Sequence, residues 1–474
     1  MTLRQKTKIV CTIGPATGSS SAIEELIKAG MNVARLNFSH GTHEDHAGYI
    51  RNIRKAASKL NTPVAILQDL AGPKIRTGQL MKKEVQLKEG SAFTLTTVKV
   101  PGDEHSVSLN LPELIENLKR GDVIFLDDGA IKLEVAETSR KAVKCRVIVG
   151  GILGWEKGVN VPGVRLNVPS STKKDFNDLL FGIEQEVDFV ALSFVREAND
   201  IIRVRKFLKK RGADIPLIAK IEKWEACERL DKILAASDGL MVARGDLGVE
   251  IPIERVPLEQ KEIIRKCNHA GKPVITATQM LQSMIDSPHP TRAEVTDIAN
   301  SIFDGTDAIM LSGETAIGRY PVEAVQVMMK IALTIEAALP YSKMLLDKGA
   351  DLEPQTDDAI SYAACHTAHQ LGAAAIVAFT TSGSTARRVA KYRPGIPILS
   401  ATPSPKQRRR LLLSWGVYPF EVTEPSDVAG LLAQGVMLSL ETGVARKGDL
   451  IVITAGIPIG MAGTTNLLKV ERVE

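Results

Sequence analysis

The chain has 474 residues, too many for one hydrophobic core, so two or three domains are expected. Its 44% apolar and 24% charged residues are ordinary for a globular protein in water and exclude a disordered chain. The net charge of +5 (60 basic against 55 acidic residues) suits anionic substrates without specifying one, and only 4% aromatic residues argue against base-stacking platforms.

The N-terminus, MTLRQKTKIV, has no apolar run of the secretory-signal kind, and no apolar stretch approaches a membrane span. Short apolar runs then alternate with segments of helical period. Strands are predicted at 8–14, 32–38, 63–70, 187–194, 216–222, 239–245, 273–279 and 307–313, with stretches such as SSSAIEELIKAG between them. Eight strands with intervening helices are the count of an α/β-class (β/α)8 TIM barrel, assigned to residues 1–72 and 169–339. Between 73 and 168 the rhythm changes to strands and turns, and Asp127-Asp128-Gly129 marks a hairpin. A small β-barrel lid domain is therefore expected there, inserted after the third barrel strand. The segment MLLDKGADLEPQTDD reads as a polar link. Residues 340–474 read as a C-terminal open α/β domain with a largely parallel sheet, its strands in AAIVAFTT, PILSA, YPFEV and DLIVITAG. The basic run Lys406-Gln407-Arg408-Arg409-Arg410 reads as a solvated helix face or a subunit contact. Five scattered cysteines (Cys11, Cys145, Cys227, Cys267, Cys365) lack C-x-x-C spacing, which argues for a reducing, cytoplasmic setting.

Active sites of such barrels lie at the C-terminal ends of the strands, and charge collects there in this chain. Lys220 and Glu222 in PLIAKIE share a strand face, and Asp246 follows in VARGDLGVE. A lysine beside two carboxylates suits Mg²⁺ with a cation poised over a phosphoryl group; a lone pair of this kind would be read as a structural ion pair. Arg35, Asn37 and Ser39 alternate in VARLNFSHG. Asp69 ends the third strand in LQDL, followed by Lys74 and Arg76 beyond a Gly-Pro turn. Gly245 permits close backbone approach. Thr278, Ser312 and Glu314 stand at the last two strand ends, where a lone Ser or Thr is more often a helix cap. In the C-terminal domain, the loop Thr380-Thr381-Ser382-Gly383-Ser384-Thr385 enters a helix bearing Arg387 and Arg388, the arrangement of a phosphate nest or an ordinary N-cap.

KIVCTIGPA, GMNVARLNFSHG, DLAGPKIR, DFVALSF, IAKIE, MVARGDLGVE, ITATQMLQSM, PTRAEVTDIANSIFDGTDAIMLSGETA and KYRP, in this order, resemble the pyruvate kinase family over essentially the whole chain. The resemblance is to the bacterial type without the extra C-terminal domain. It implies phosphoryl transfer from phosphoenolpyruvate to ADP, giving pyruvate and ATP. Glu222 and Asp246 would bind Mg²⁺ (or Mn²⁺), and Lys220 would stabilise the phosphoryl group in flight. Arg35 would contact the substrate phosphate, and the backbone of Gly245 and Asp246, with Thr278, the substrate carboxylate. His40, Arg76 and Lys157 match nucleotide contacts, and Thr278, Ser312 and Glu314 form a candidate proton route to the enolate.

Family members that need K⁺ hold it at positions matching Asn37, Ser39, Asp69 and a threonine, here Leu70; a position that is Glu in those members is Lys74 here. A lysine ammonium can take the ion's place, so K⁺ is expected to be unnecessary, although Thr77 follows the K⁺-dependent pattern. The loop 380–385 matches an allosteric effector site. The facing loop AGIPIGMAGTTN lacks the Trp and Arg of animal members that respond to fructose 1,6-bisphosphate, so a sugar or nucleotide monophosphate is expected as activator. A homotetramer is the family expectation. Two rivals are a Schiff-base aldolase with Lys220 as nucleophile, which Glu222 beside it opposes, and an inactive metabolite sensor, which the intact Lys220, Glu222 and Asp246 oppose.

Overall fold

Eight strands, each buried on both faces, close into a parallel barrel in chain order, as continuous apolar runs require. They are Lys8–Thr12, Val33–Asn37, Ala65–Asp69, Phe189–Leu192, Leu217–Ile221, Gly239–Ala243, Val274–Ala277 and Ala308–Leu311. The computed structural model describes residues 5–165, 169–350, 352–460 and 463–474. The expected lid end at 168, one residue of the expected link (351) and two of the loop facing the effector segment (461 and 462) lie outside them. Every barrel strand ends one or two residues earlier than predicted. Glu222, Gly245, Thr278 and Ser312 therefore stand just beyond a strand rather than in it. Apolar content continues into the following turn, so hydrophobic pattern alone overruns the last ladder hydrogen bond.

Inside the barrel, Val10, Val33, Leu67, Phe189, Ile218, Met241, Ile275 and Met310 form an apolar core with Leu412 and Leu413, which enter from the C-terminal domain. The period of two then sets Thr12, Arg35, Asp69 and Lys220 on the same inner face, one layer up.

The inserted segment, expected as a small β-barrel, is a six-stranded sheet with a separate two-stranded ribbon (Glu84–Leu87 with Gly151–Gly154) over its own apolar core. Val123–Leu126 and Ile131–Thr138 pair as the expected hairpin. Asp127 and Asp128 both have φ of 52° and Gly129 has 93°, the left-handed turn that Asp and Gly tolerate. The two chain crossings to the barrel are stitched together: Thr77 N donates to Lys157 O at 2.9 Å, Lys157 N to Thr77 Oγ1 at 3.0 Å, and Val159 N to Ile75 O at 3.0 Å.

The C-terminal sheet has five strands, four parallel and the last, Thr465–Arg472, antiparallel. Apolar side chains alternate between its two faces, with Ile376 and Ala378 on one and Val377 and Phe379 on the other. Two expectations are corrected. The polar link is helical in its first part, Tyr341–Ala350, and Leu345 is buried. The basic run is not simply a solvated face. It is the helix Pro405–Arg410, whose Arg409 pairs with the fully buried Asp188 of the barrel at 2.7 Å and whose Arg410 pairs with Asp214.

Candidate active site

Lys220 is the centre of the barrel mouth. Its Nζ donates to Ser193 Oγ at 2.7 Å and lies 3.2 Å from Glu222 Oε2 and 3.6 Å from Asp69 Oδ1. Burial works against its charge, but Asp69, Glu222 and Asp246 outweigh it and hold the ammonium pKa above its ordinary value. A Schiff-base lysine needs the opposite shift. Ser193 escaped the sequence reading: LSF offers no signal that this serine meets a lysine on the next barrel strand, 27 residues on. Its hydroxyl donates to Leu70 O at 2.7 Å, tying the third strand to the fourth.

Arg35 and Asp69 form the second pillar. Arg35 Nε and Nη2 both reach Asp69 Oδ2 at 2.7 Å, and Nη1 reaches Thr12 Oγ1 at 2.9 Å. Burial pushes the Asp69 carboxyl up, yet Lys220 and Arg35 leave it below its usual value. A buried arginine clamped by a carboxylate is pre-aimed at an incoming anion.

The carboxylates offer hard oxygen. Glu222 Oε1 accepts from Phe194 N at 2.6 Å, whereas its buried Oε2 has only the Lys220 ammonium nearby, at 3.2 Å and poorly aligned for a hydrogen bond. Asp246, half-buried in the first turn of the helix Arg244–Glu250, has no hydrogen bond or ion pair among the described residues. Burial raises the Glu222 pKa; Lys220 draws it back, and Asp246 and Asp69 push it up again, so that it stays above the ordinary 4.5. Two crowded, incompletely satisfied carboxylates fit a divalent cation.

The backbone at the sixth and seventh strand ends differs in detail from the sequence reading. Gly245 N already donates to Thr278 Oγ1 at 2.8 Å, and that hydroxyl donates to Ala277 O at 2.6 Å. Thr278 has φ of 68°, strained for a β-branched residue, and Gln279 follows at 54°. Ser312 Oγ is buried without a partner. Glu314 is fully buried and accepts from Ser312 N at 2.8 Å and Leu281 N at 3.1 Å, bracing the two loops that carry Thr278 and Ser312.

Around the rim, Asn37 stands in register with Asp69, and its Oδ1 accepts from Ser39 N at 3.1 Å. The Lys74 ammonium makes no ion pair or hydrogen bond among the described residues. Its Cε lies by Gly158 of the lid rather than against Asp69. Arg76 Nη1 donates to Glu156 O at 2.8 Å, and Lys157 Nζ pairs with Asp127 at 3.0 Å, inside the lid. His40 is exposed; partial desolvation at the mouth, then Arg76, Lys74 and Arg35, hold its pKa below 6.5. The lid also touches the barrel through Asn160 Nδ2, which donates to Glu250 Oε1 at 3.0 Å while Lys223 pairs with the same oxygen at 2.6 Å. This contact was not anticipated, because it joins three segments remote in the chain.

Far from the mouth, Thr380, Thr381, Ser382, Ser384 and Thr385 line a cavity of the C-terminal domain with Gly456, Gly460 and Thr464. Gly383, with φ of 80°, turns the loop into the helix Ser384–Lys391.

A closed parallel barrel with a charged lysine among carboxylates at its mouth, a lid and a separate α/β domain define a barrel phosphotransferase. The description "pyruvate kinase, barrel domain" matches residues 4–325, and "pyruvate kinase, alpha/beta domain" matches residues 358–471. The chain is 51% identical to the pyruvate kinase of Geobacillus stearothermophilus, covering 99% of this chain and 80% of the relative. It is 48% identical to that of Clostridium acetobutylicum, over 99% and 100%. A crystal structure of a pyruvate kinase from Cryptosporidium parvum superposes with a TM-score of 0.94 at 37% identity, covering 99% and 96% of the two chains. The chain belongs to the pyruvate kinase family.

Proposed function

We propose that the chain moves the phosphoryl group of phosphoenolpyruvate onto ADP as the last step of glycolysis, in the cytoplasm. The enol oxygen–phosphorus bond breaks, a bond forms to a terminal β-phosphate oxygen of ADP, and the enolate takes up a proton to become pyruvate. The observation that carries this reading is the Lys220 ammonium, held charged among Ser193, Glu222 and Asp69. It offers fixed positive charge to the equatorial oxygens of the transferring group. Arg35, clamped by Asp69 and Thr12, binds the substrate phosphate. The N–H groups starting the helix at Gly245 and Asp246, with Thr278, receive the substrate carboxylate; the amide of Gly245 must then exchange Thr278 for the ligand. Glu222 and Asp246 would hold Mg²⁺ or Mn²⁺, which would supply positive charge to offset that of the phosphate oxygens. Ser312 Oγ, with no partner, suits a water near the enolate, with Thr278 and Glu314 framing it. His40, Arg76 and Lys157 receive the nucleotide once the Lys157 side chain turns away from Asp127 within the lid.

Residues 1–72 with 169–339 act as the catalytic barrel, 73–168 as the lid and 340–474 as the effector-binding domain of a homotetramer. A sugar or nucleotide monophosphate would bind at 380–385 and favour the active state. The Lys74 ammonium, which lies by Gly158 of the lid, would turn toward Asn37, Ser39, Asp69 and Leu70 to replace K⁺. Pyruvate formation from phosphoenolpyruvate, ADP and Mg²⁺ in K⁺-free buffer tests the whole. Full activity supports both statements, activity only after K⁺ sinks the role of Lys74, and none with K⁺ and candidate activators sinks the reaction.

A further inference from the structure

The loop after the second barrel strand, residues 38–42, carries Ser39 and His40 to the mouth. Two of its carbonyls are met by side chains. His46 Nε2 donates to His40 O at 3.0 Å, from a ring stacked on Phe38 at 4.1 Å. Lys174 Nζ donates to Phe38 O at 2.8 Å. Lys174 belongs to the helix Lys173–Glu184, the first helix after the lid. One turn further along that helix, Asp178 Oδ2 holds the same ammonium at 2.7 Å. Asp178 is buried, and its other oxygen lies 2.8 Å from Nε2 of His43, which opens the helix that follows the loop. Lys174 and Asp178 thus grip the loop at both ends.

The post that does so is itself fixed. Thr172 and Asp175 form a capping box, and Asp175 Oδ1 also accepts from Gly72 N at 3.0 Å, where the chain leaves for the lid. The carbonyl of Asp178 accepts from Gln68 Nε2 of the third strand at 2.6 Å. A group supported by locked side chains on a rigid element keeps its aim without further ordering, and a charged donor such as Lys174 makes the stronger kind of hydrogen bond. Beyond partial desolvation, Arg76, Lys74 and Arg35 depress the His40 pKa, which places that ring at the mouth. The other half of the mouth has separate supports. Arg35 is held by Asp69 and Thr12, and Lys220 by Ser193, with no bond to Lys174 or Asp178.

We propose that Lys174, braced by Asp178, is a positioning residue for the nucleotide: it holds the 38–42 loop so that His40 meets ADP. It touches no reacting atom. The proposal rests on the reading of His40 as a nucleotide contact given above, and it predicts that the two substrates respond differently to loss of Lys174.

The test uses the full-length chain with Mg²⁺. Binding of ADP and of phosphoenolpyruvate is measured separately by equilibrium dialysis for wild type, Lys174→Met and Lys174→Arg, with thermal melts to establish folding. The Lys174 side chain is 58% exposed, so methionine there leaves the core intact. The expected result is ADP binding weakened about tenfold in Lys174→Met, restored in Lys174→Arg, with phosphoenolpyruvate binding unchanged in both. Equal ADP binding by wild type and Lys174→Met overturns the proposal. An equal loss for both substrates also overturns it, because a merely structural role would produce that. A wild type that binds phosphoenolpyruvate but not ADP overturns the nucleotide reading of His40 and this proposal with it. If Lys174→Met does not fold, Lys174→Gln is measured in its place, with the same outcomes deciding.

Discussion

At the scale of single residues, the mouth works by unequal satisfaction of charge. Lys220 is enclosed by acceptors and stays protonated, so its contribution is electrostatic and appears in the transition state. Lys220→Met should lower kcat by about 10³-fold with a much smaller change in the KM for phosphoenolpyruvate, as steady-state kinetics will show. Glu222 carries the pH dependence. A cation needs the ionised carboxylate, and burial raises the pKa of this one above 4.5, so protons compete at a higher pH than for a free glutamate. The Mg²⁺ concentration at half-saturation should therefore rise on acidification, beginning above pH 4.5, while Glu222→Gln should lose both affinity and this pH response in the same titration. Lys74→Glu should make activity depend on K⁺; a variant equally active with and without K⁺ at constant ionic strength would refute the ammonium's role.

At the scale of elements, the strand ends and the lid matter most. Period-two alternation brings Thr12, Arg35, Asp69 and Lys220 into one inner layer, which made Arg35, Asp69 and Lys220 legible in the sequence, whereas Thr12, uncharged, was not singled out. Glu222, Gly245 and Thr278 stand past the last ladder bond. Their positions depend on turns, including the left-handed Phe194 (φ 56°) that presents its N–H to Glu222 and the left-handed Thr278. No pattern of apolar residues encodes those turns. The lid's only side-chain hydrogen bond to the helix Arg244–Glu250 among the described residues is Asn160–Glu250. Asn160→Ala leaves Glu250 paired with Lys223, so it removes the lid contact alone, worth about 1 kcal/mol. The expected result is a roughly fivefold higher KM for ADP with kcat little changed, because 1.4 kcal/mol corresponds to about tenfold.

At the scale of the whole molecule, the barrel and C-terminal domain are locked by buried charge and by the Leu412–Leu413 plug. Arg393 is almost wholly buried and holds Asp307 through two bonds, 3.0 and 3.1 Å, and the same carboxylate accepts from Trp415 N at 3.1 Å and Val274 N at 3.1 Å. Arg393→Ala strands Asp307 and should cost about 3–5 kcal/mol. Thermal unfolding should then split, the C-terminal domain melting before the barrel, where wild type melts at a higher temperature. Coincident transitions at the wild-type temperature would show that the pair does not couple the domains.

The sequence by itself determined the barrel, the inserted β segment, the third α/β unit and most residues of the mouth. Apolar periodicity and strand-end charge are local properties, and a parallel barrel converts them directly into position. Only the tertiary structure decided which charges meet. Ser193 under Lys220, Glu250 between Asn160 and Lys223, Arg409 on Asp188, and Lys174 on the Phe38 carbonyl all join segments distant in the chain. Hydrogen bonds and ion pairs depend on separations of a few ångströms, which packing sets and residue order does not.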